Sequence, residues 1–202
     1  MKYIGKIMVV LVAVLGLNSG GVLAASPAQN QLKMTIDSIL DVLGNPELNN
    51  GTCETCLRKQ RSLLKQIVEK RFDFEKMSQL SLARHWKQRT NQEKSEFVAL
   101  FSQLLEDTYI NKIEFYNDEK VIYLKERIKN KKAQVDTKII TQTIEIPISY
   151  RMFTRGNDEW KIYDLIIEGV SLVGNYRSQF SQILEKNSFE FLLDKLKNKK
   201  KN

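Results

Sequence analysis

The chain has 202 residues, of which 42% are hydrophobic and 28% charged, with a formal net charge of +8. The length fits one domain that builds its own core. The charge narrows macromolecular partners to nucleic acid, anionic membranes or acidic proteins, and the first residues then remove nucleic acid, because they route the chain out of the cytoplasm.

Met1 to Lys6 carries Lys2 and Lys6, and an apolar run follows from Ile7 to Leu17. Asn18 to Gly21 breaks the run, and Val22-Leu23-Ala24 places small residues where a signal peptidase reads. This is the layout of a secretory signal peptide over residues 1–24. The run is short for a membrane span, which needs about 20 apolar residues. No cysteine follows it, so a lipid-anchored form is not expected. Losing Lys2 and Lys6 with the leader lowers the charge by two and leaves the product basic. The expected domain is residues 25–197. Residues 198–202 form a basic tail, and KLKNKKKN, Lys195 to Asn202, reads as a solvated end or as a bilayer attractant.

Helices come first. Leu32, Ile36, Ile39, Leu40 and Leu43 recur at helical spacing and stop at Gly44-Asn45-Pro46. Leu57, Leu64, Ile67, Val68 and Phe72 mark a second helix. Thr90-Asn91-Gln92-Glu93 has the spacing of a capping box, in which hydroxyl and carboxylate satisfy free amides at a helix start. Phe97, Leu100, Phe101, Leu104, Leu105 and Tyr109 follow on one face, predicting a helix from about Asn91 to Phe115.

From Lys120 the apolar period falls to two. Val121 to Ile128 is the first strand; Ala133, Val135, Thr137 and Ile139 mark the second; Ile144, Ile146, Ile148, Tyr150 and Met152 mark the third. Arg155 to Glu159 supplies a turn before a fourth strand at Trp160. Pro147 has no amide hydrogen for the ladder and predicts a bulge or an edge position. Ser171 is a predicted helix cap. Leu172, Val173, Tyr176, Phe180, Ile183 and Leu184 form the stripe behind it, with Asn175, Arg177, Ser178 and Gln179 falling between as surface residues. The predicted class is α+β: a four-stranded antiparallel curved sheet with helices packed on one face.

Three stretches now combine: FDFEKMSQLSLARHW (Phe72 to Trp86), EFVALFSQLLEDTY (Glu96 to Tyr109) and WKIYDLIIEGVSLVGNYRSQF (Trp160 to Phe180). Together they resemble the MlaC family of periplasmic phospholipid-binding proteins, also called toluene-tolerance or ABC-transporter auxiliary components. The last is the most specific, a W-K-x-Y-D strand, an E-G-x-S turn and an N-Y-R-S-Q-F helix in that order. The resemblance runs over nearly the whole chain. It implies a fold enclosing an apolar lipid cavity and a monomer with a phospholipid ligand. It also implies two partners, an outer-membrane lipoprotein complex and an inner-membrane ABC transporter carrying an MCE-domain ring. No cofactor or metal is implied. A related carrier of polycyclic lipids such as hopanoids, or a closed-core adaptor of a transporter, stays open beside it.

If the cavity exists, the inward strand parities and helix stripes nominate its walls. They are Phe101, Leu104, Leu172 and Tyr176 from helices, and Ile139, Ile146, Ile148, Tyr150, Leu165 and Ile167 from strands. The same residues also suit an ordinary closed core. The parity of the Trp160 strand is ambiguous, because Asp164 and Glu168 share its phase with Trp160. Tyr109, Tyr150, Tyr163 and Tyr176 are candidate rim residues, apolar ring inward and hydroxyl outward. Arg177 has the fork geometry to bind a lipid phosphate, or else forms an ion pair with Asp164 or Glu168.

Cys53-Glu54-Thr55-Cys56 departs from the family pattern and is placed in a loop between the first two helices. Export favours a disulfide between Cys53 and Cys56. A redox motif needs a preceding strand, haem attachment needs histidine where Leu57 stands, and a metal site needs more ligands than His85 supplies. Enzyme chemistry is not expected. No phosphate loop, paired metal-ligand motif or nucleophile elbow is present in the sequence. His85 reads as a packed residue, and Tyr163 and Asp164, being adjacent on a strand, face opposite ways unless a bulge intervenes.

Overall fold

The structure is a computed structural model and describes residues 27–48, 53–113, 120–141, 144–156 and 158–198, with backbone only at 109–113. The signal-peptide reading, the Tyr109 side chain and residues 199–202 of the basic tail therefore lie outside the described residues. The elements are α1 (Pro27–Leu43), α2 (Glu54–Arg71), α3 (Phe74–Leu82), a 3-10 helix (Ala83–Gln88) and α4 (Asn91–Ile113). They continue with β1 (Lys120–Lys129), β2 (Lys132–Ile140), β3 (Glu145–Thr154), β4 (Trp160–Ile167), β5 (Val170–Ser171), α5 (Leu172–Leu184) and α6 (Phe189–Asn198).

The strands form one antiparallel sheet in the order β1-β2-β3-β4-β5. It has five strands, not the four expected. Glu168 and Gly169 both take positive φ (50° and 82°) and make a two-residue turn, after which Val170 pairs back on Ile167. A strand of two residues has no periodicity to read.

Pro147 is on neither an edge nor a bulge. It sits in β3, an interior strand, in regular register opposite Lys138. On its other side β4 has already ended at Ile167, and the Pro147 carbonyl accepts from Glu168 N at 3.0 Å. The missing donor thus points where no strand residue asks for it.

Local sequence explains the helix ends. Thr90 and Glu93 form the reciprocal capping box, Thr90 N to Glu93 Oε2 at 2.6 Å and Glu93 N to Thr90 Oγ1 at 3.2 Å. Ser171 Oγ accepts from Gly174 N at 2.9 Å and caps α5. Gly44 N closes α1 onto Leu40 O at 2.8 Å. Cys53 is itself the N-cap of α2 and is disulfide-bonded to Cys56 in the first turn, so the pair opens a helix and does not sit in a loop.

Two large apolar clusters, and a small third at Leu43 and Leu64, hold the described residues together. α1 lays Ala28, Leu32 and Ile36 on Ala133, Val135, Met152, Trp160 and Ile162 of the sheet. Gln31, Thr35 and Arg71 lock this arrangement: Arg71 Nε donates to Thr35 Oγ1 (2.9 Å), and Gln31 Oε1 accepts from both Arg71 Nη1 (2.7 Å) and Trp160 N (3.0 Å). The second cluster gathers α3, α4, α5 and α6 around Phe97, Phe101, Tyr176 and Phe180. Phe72 and Leu165 touch both clusters, and Phe72 adds a parallel bridge to Ile162.

The chain's end contributes more than a tail. Phe189, Leu192, Leu193 and Leu196 of α6 are buried in the helical cluster, and Lys197 Nζ reaches Glu96 Oε1 at 2.8 Å.

α3 ends on a strained residue. Ala83 has φ 48° and ψ −116°, where a side chain is disfavoured and glycine is at ease. Ala83→Gly is expected to stabilise the fold by about 1 kcal/mol, relief of strain exceeding the added chain entropy. The check is a rise in the denaturant midpoint at unchanged slope.

Candidate functional site

Residues directly opposite on antiparallel strands project from the same face. The registers therefore define four rows on the face that α1 covers. Ile128, Ala133, Met152 and Ile162 share one row; Glu126, Val135, Tyr150 and Leu165 the next; Tyr123, Thr137, Ile148 and Ile167 the third; Val121, Ile139 and Ile146 the last. Burial falls along this series: Ala133, Met152 and Ile162 are buried, the next two rows keep buried residues only on β2 (Val135 and Thr137), and Leu165, Tyr150, Ile148, Ile167, Ile139 and Ile146 are half-buried. The sheet's apolar face thus continues past the part sealed by α1, as a band rich in isoleucine.

The ten wall candidates divide accordingly. All six strand candidates lie on this band. The four helical candidates lie in the helical cluster, with Phe101 and Tyr176 packed edge-on at 5.1 Å and Phe101 and Phe180 at 5.4 Å. Two clefts of about 430 and 480 Å³ lie elsewhere, between α3 and the end of the β3–β4 hairpin, lined by residues such as Phe72, Phe74, Phe153, Arg155 and Tyr163. None of the ten candidates lines either.

Bulges explain the parities. β4 slips by one residue opposite Arg151 and Met152, so Tyr163 is the extra residue. Trp160 and Ile162 before it and Leu165 and Ile167 after it all face inward, which resolves the ambiguous phase. The same bulge is the stated exception to the separation of Tyr163 from Asp164: both lie opposite Arg151, away from the isoleucine band. Tyr163 is consequently not a rim residue of that band; its ring packs edge-on to Phe153 at 5.9 Å. Nor is Asp164 free for chemistry. It is buried and accepts from Ser171 Oγ (2.7 Å), Val173 N (3.0 Å) and Arg151 Nη1 (3.1 Å).

Arg177 does not pair with Asp164, one of the two acids expected as its alternative partners; that charge is answered by Arg151. Its Nε donates to the Leu80 carbonyl in the last turn of α3, at 2.8 Å. Asn175, Ser178 and Gln179 are exposed beside it. His85 is half-buried and accepts from Arg84 Nε at 3.3 Å. Its burial, with the charges of Arg84 and Arg89, holds its pKa below the ordinary histidine value. Among the described residues, no three His, Cys, Asp or Glu side chains form a group suited to a metal ion.

Two tyrosines mark the band's border. Burial pushes the Tyr150 phenol up to about 12, while its hydrogen bond with Thr137 acts the other way. Thr137 Oγ1 in turn donates to the Ile148 carbonyl at 3.0 Å. Tyr123, which sequence reasoning did not nominate, has a buried hydroxyl with no partner. Burial first, then Asp37 and Tyr150, raise its pKa far above the ordinary tyrosine value, so it stays a neutral O–H donor. The signal was hidden because residues 121–124 are all apolar or aromatic, and a bulge between Tyr123 and Lys125 shifts the phase behind them.

The model of the MlaC protein family matches residues 33–198. The chain belongs to the MlaC family. A curated relative, the intermembrane phospholipid transport system binding protein MlaC of Haemophilus influenzae, is 26% identical over 125 residues, covering 57% of this chain and 56% of the relative. The chain thus spans about half the length of the curated relative it matches. A solved phospholipid-binding protein from Ralstonia solanacearum, in complex with a phospholipid, superposes with a TM-score of 0.75 at 25% identity. That match covers 86% of this chain and 96% of the other. This MlaC-family chain accordingly has an α+β fold with a curved antiparallel sheet, and among the described residues no helix is long and apolar enough to cross a membrane.

Proposed function

We propose that this MlaC-family protein is a periplasmic carrier that holds phospholipid acyl chains against the isoleucine band of its sheet. It moves lipid between an outer-membrane lipoprotein complex and an inner-membrane ABC transporter bearing an MCE-domain ring. The observation that carries this reading is the band itself: an apolar sheet face that runs beyond its own covering helix, in a chain whose fold matches a protein solved with a phospholipid.

The energetics fit a carrier. Exposing a methylene to water costs about 0.8 kcal/mol, so the roughly thirty methylenes of two acyl chains amount to about 20 kcal/mol. Aliphatic walls offset that cost and ask for no hydrogen bonds. Ile139, Ile146, Ile148, Leu165 and Ile167 supply such a wall, with Tyr150 at its border. Residues binding neither nucleotide nor metal suffice for this passive role. Arg177, on the surface of α5, is the candidate contact for a head-group phosphate.

The test is mass spectrometry of an organic extract from gently purified protein. Two-chain phospholipids are expected; polycyclic lipids would move the assignment to another cargo, and an empty extract would sink it in favour of an adaptor. Ile148→Trp is expected to lower co-purified lipid by roughly half or more. Because the site is half-buried, the stability cost stays at about 1 kcal/mol, within the range for overpacking a tolerant position. Full lipid content in that variant would remove Ile148 from the wall.

A further inference from the structure

Tyr123 presents a problem that the protein alone does not solve. Its hydroxyl is buried, yet no donor or acceptor of the described chain meets it. Leaving such a group unpaired costs about 1–3 kcal/mol, and native folds rarely do so without a ligand or water in the place. The nearby polar groups bond elsewhere and none reaches this hydroxyl. Thr137, directly opposite, serves Tyr150 and the Ile148 carbonyl. Asp37 of α1 is held by Lys33 Nζ at 2.7 Å.

The position of Tyr123 indicates the kind of acceptor. Its ring packs against the cluster between α1 and the sheet. Its own row marks the border of coverage, with Thr137 buried and Ile148 and Ile167 half-exposed. The four rows of this face contain no lysine or arginine, so a phosphate brought here would be a buried, unneutralised charge. A neutral carbonyl incurs no such penalty and accepts one hydrogen bond from a phenol.

We propose that Tyr123 donates its hydroxyl to an ester carbonyl of the bound lipid, making the ester linkage a recognised part of the cargo. This rests on the carrier reading above. It adds a specificity determinant at the junction between the acyl chains and the head group.

The experiment compares a di-ester phosphatidylglycerol with its di-ether counterpart of the same chain length, each competing for the delipidated full chain. Wild type is expected to favour the ester about fivefold, the size of one net hydrogen bond. Tyr123→Phe is expected to reduce the preference to about one, while the empty variant melts no lower than wild type because an orphaned polar group is gone. Equal binding of the two lipids by wild type overturns the proposal, as does a preference that survives in Tyr123→Phe. Wild type that binds neither lipid overturns the carrier reading instead. The wild-type comparison uses no variant, so the proposal stays open to refutation even where the substitution unfolds the chain.

Discussion

Asp164→Ala is expected to destabilise the protein by about 3–5 kcal/mol, the cost of opening a buried, charge-assisted network. Three donors converge on this carboxylate: Ser171 Oγ, Val173 N and Arg151 Nη1. Their fates differ on truncation. The Arg151 side chain is 40% exposed and finds water. The Val173 amide is buried in the first turn of α5 and is left unpaired, at about 1–3 kcal/mol. Ser171 loses the acceptor that orients its hydroxyl toward the Gly174 amide, weakening the cap by about another 1 kcal/mol. An asymmetry follows. Arg151→Ala should cost less, about 1–2 kcal/mol, because the pair is exposed only on its arginine side and Asp164 keeps two other donors, and Asp164→Asn should fall between the two. Urea denaturation of the three variants decides the point. Equal losses for Arg151→Ala and Asp164→Ala would show that the ion pair, not the helix cap, is what Asp164 supplies.

The same network shows why part of the fold was legible and part was not. The helix after Thr90 and the cap at Ser171 are local signals, written within four residues, although Asp164 then holds the Ser171 hydroxyl in place. The strands showed themselves by alternation, but alternation is broken at Tyr123/Lys125 and at Tyr163, where bulges insert a residue. Inward-facing residues beyond a bulge then fall on the wrong phase, which made the Trp160 strand unreadable and kept Tyr123 off the candidate list. α3 escaped notice because Ser78 and Ser81 occupy buried positions on its inner face, where a periodic reading looks for hydrocarbon. α6 was masked by its lysines. Read as a charged tail, KLKNKKKN hides the Phe189, Leu192, Leu193 and Leu196 stripe that begins before it and docks on α4. Of the candidate site, the shared face of the strand residues was accessible through parity. The helical half was not, because a stripe of leucine and phenylalanine looks the same whether it lines a hollow or fills it.

Phe101→Ala addresses that last ambiguity and is expected to cost about 3–5 kcal/mol, the range for deleting a fully packed aromatic ring. Phe101 is completely buried, with Phe97 at 5.6 Å, Tyr176 at 5.1 Å and Phe180 at 5.4 Å around it. A ring enclosed on so many sides has no collapsible neighbour to fill the space it leaves, so the cavity penalty adds to the lost transfer free energy. The contrast is with Ile148→Ala, on the half-buried band. It removes less buried surface and opens no sealed cavity, so about 1 kcal/mol is expected. Lipid content should separate the two sites in the opposite sense. A folded Phe101→Ala protein, rescued at low temperature, keeps its cargo, whereas bulk added at Ile148 displaces it. A Phe101→Ala cost below about 1 kcal/mol, together with lost lipid, would instead assign the helical cluster to the cavity wall and make the sheet band its exposed margin.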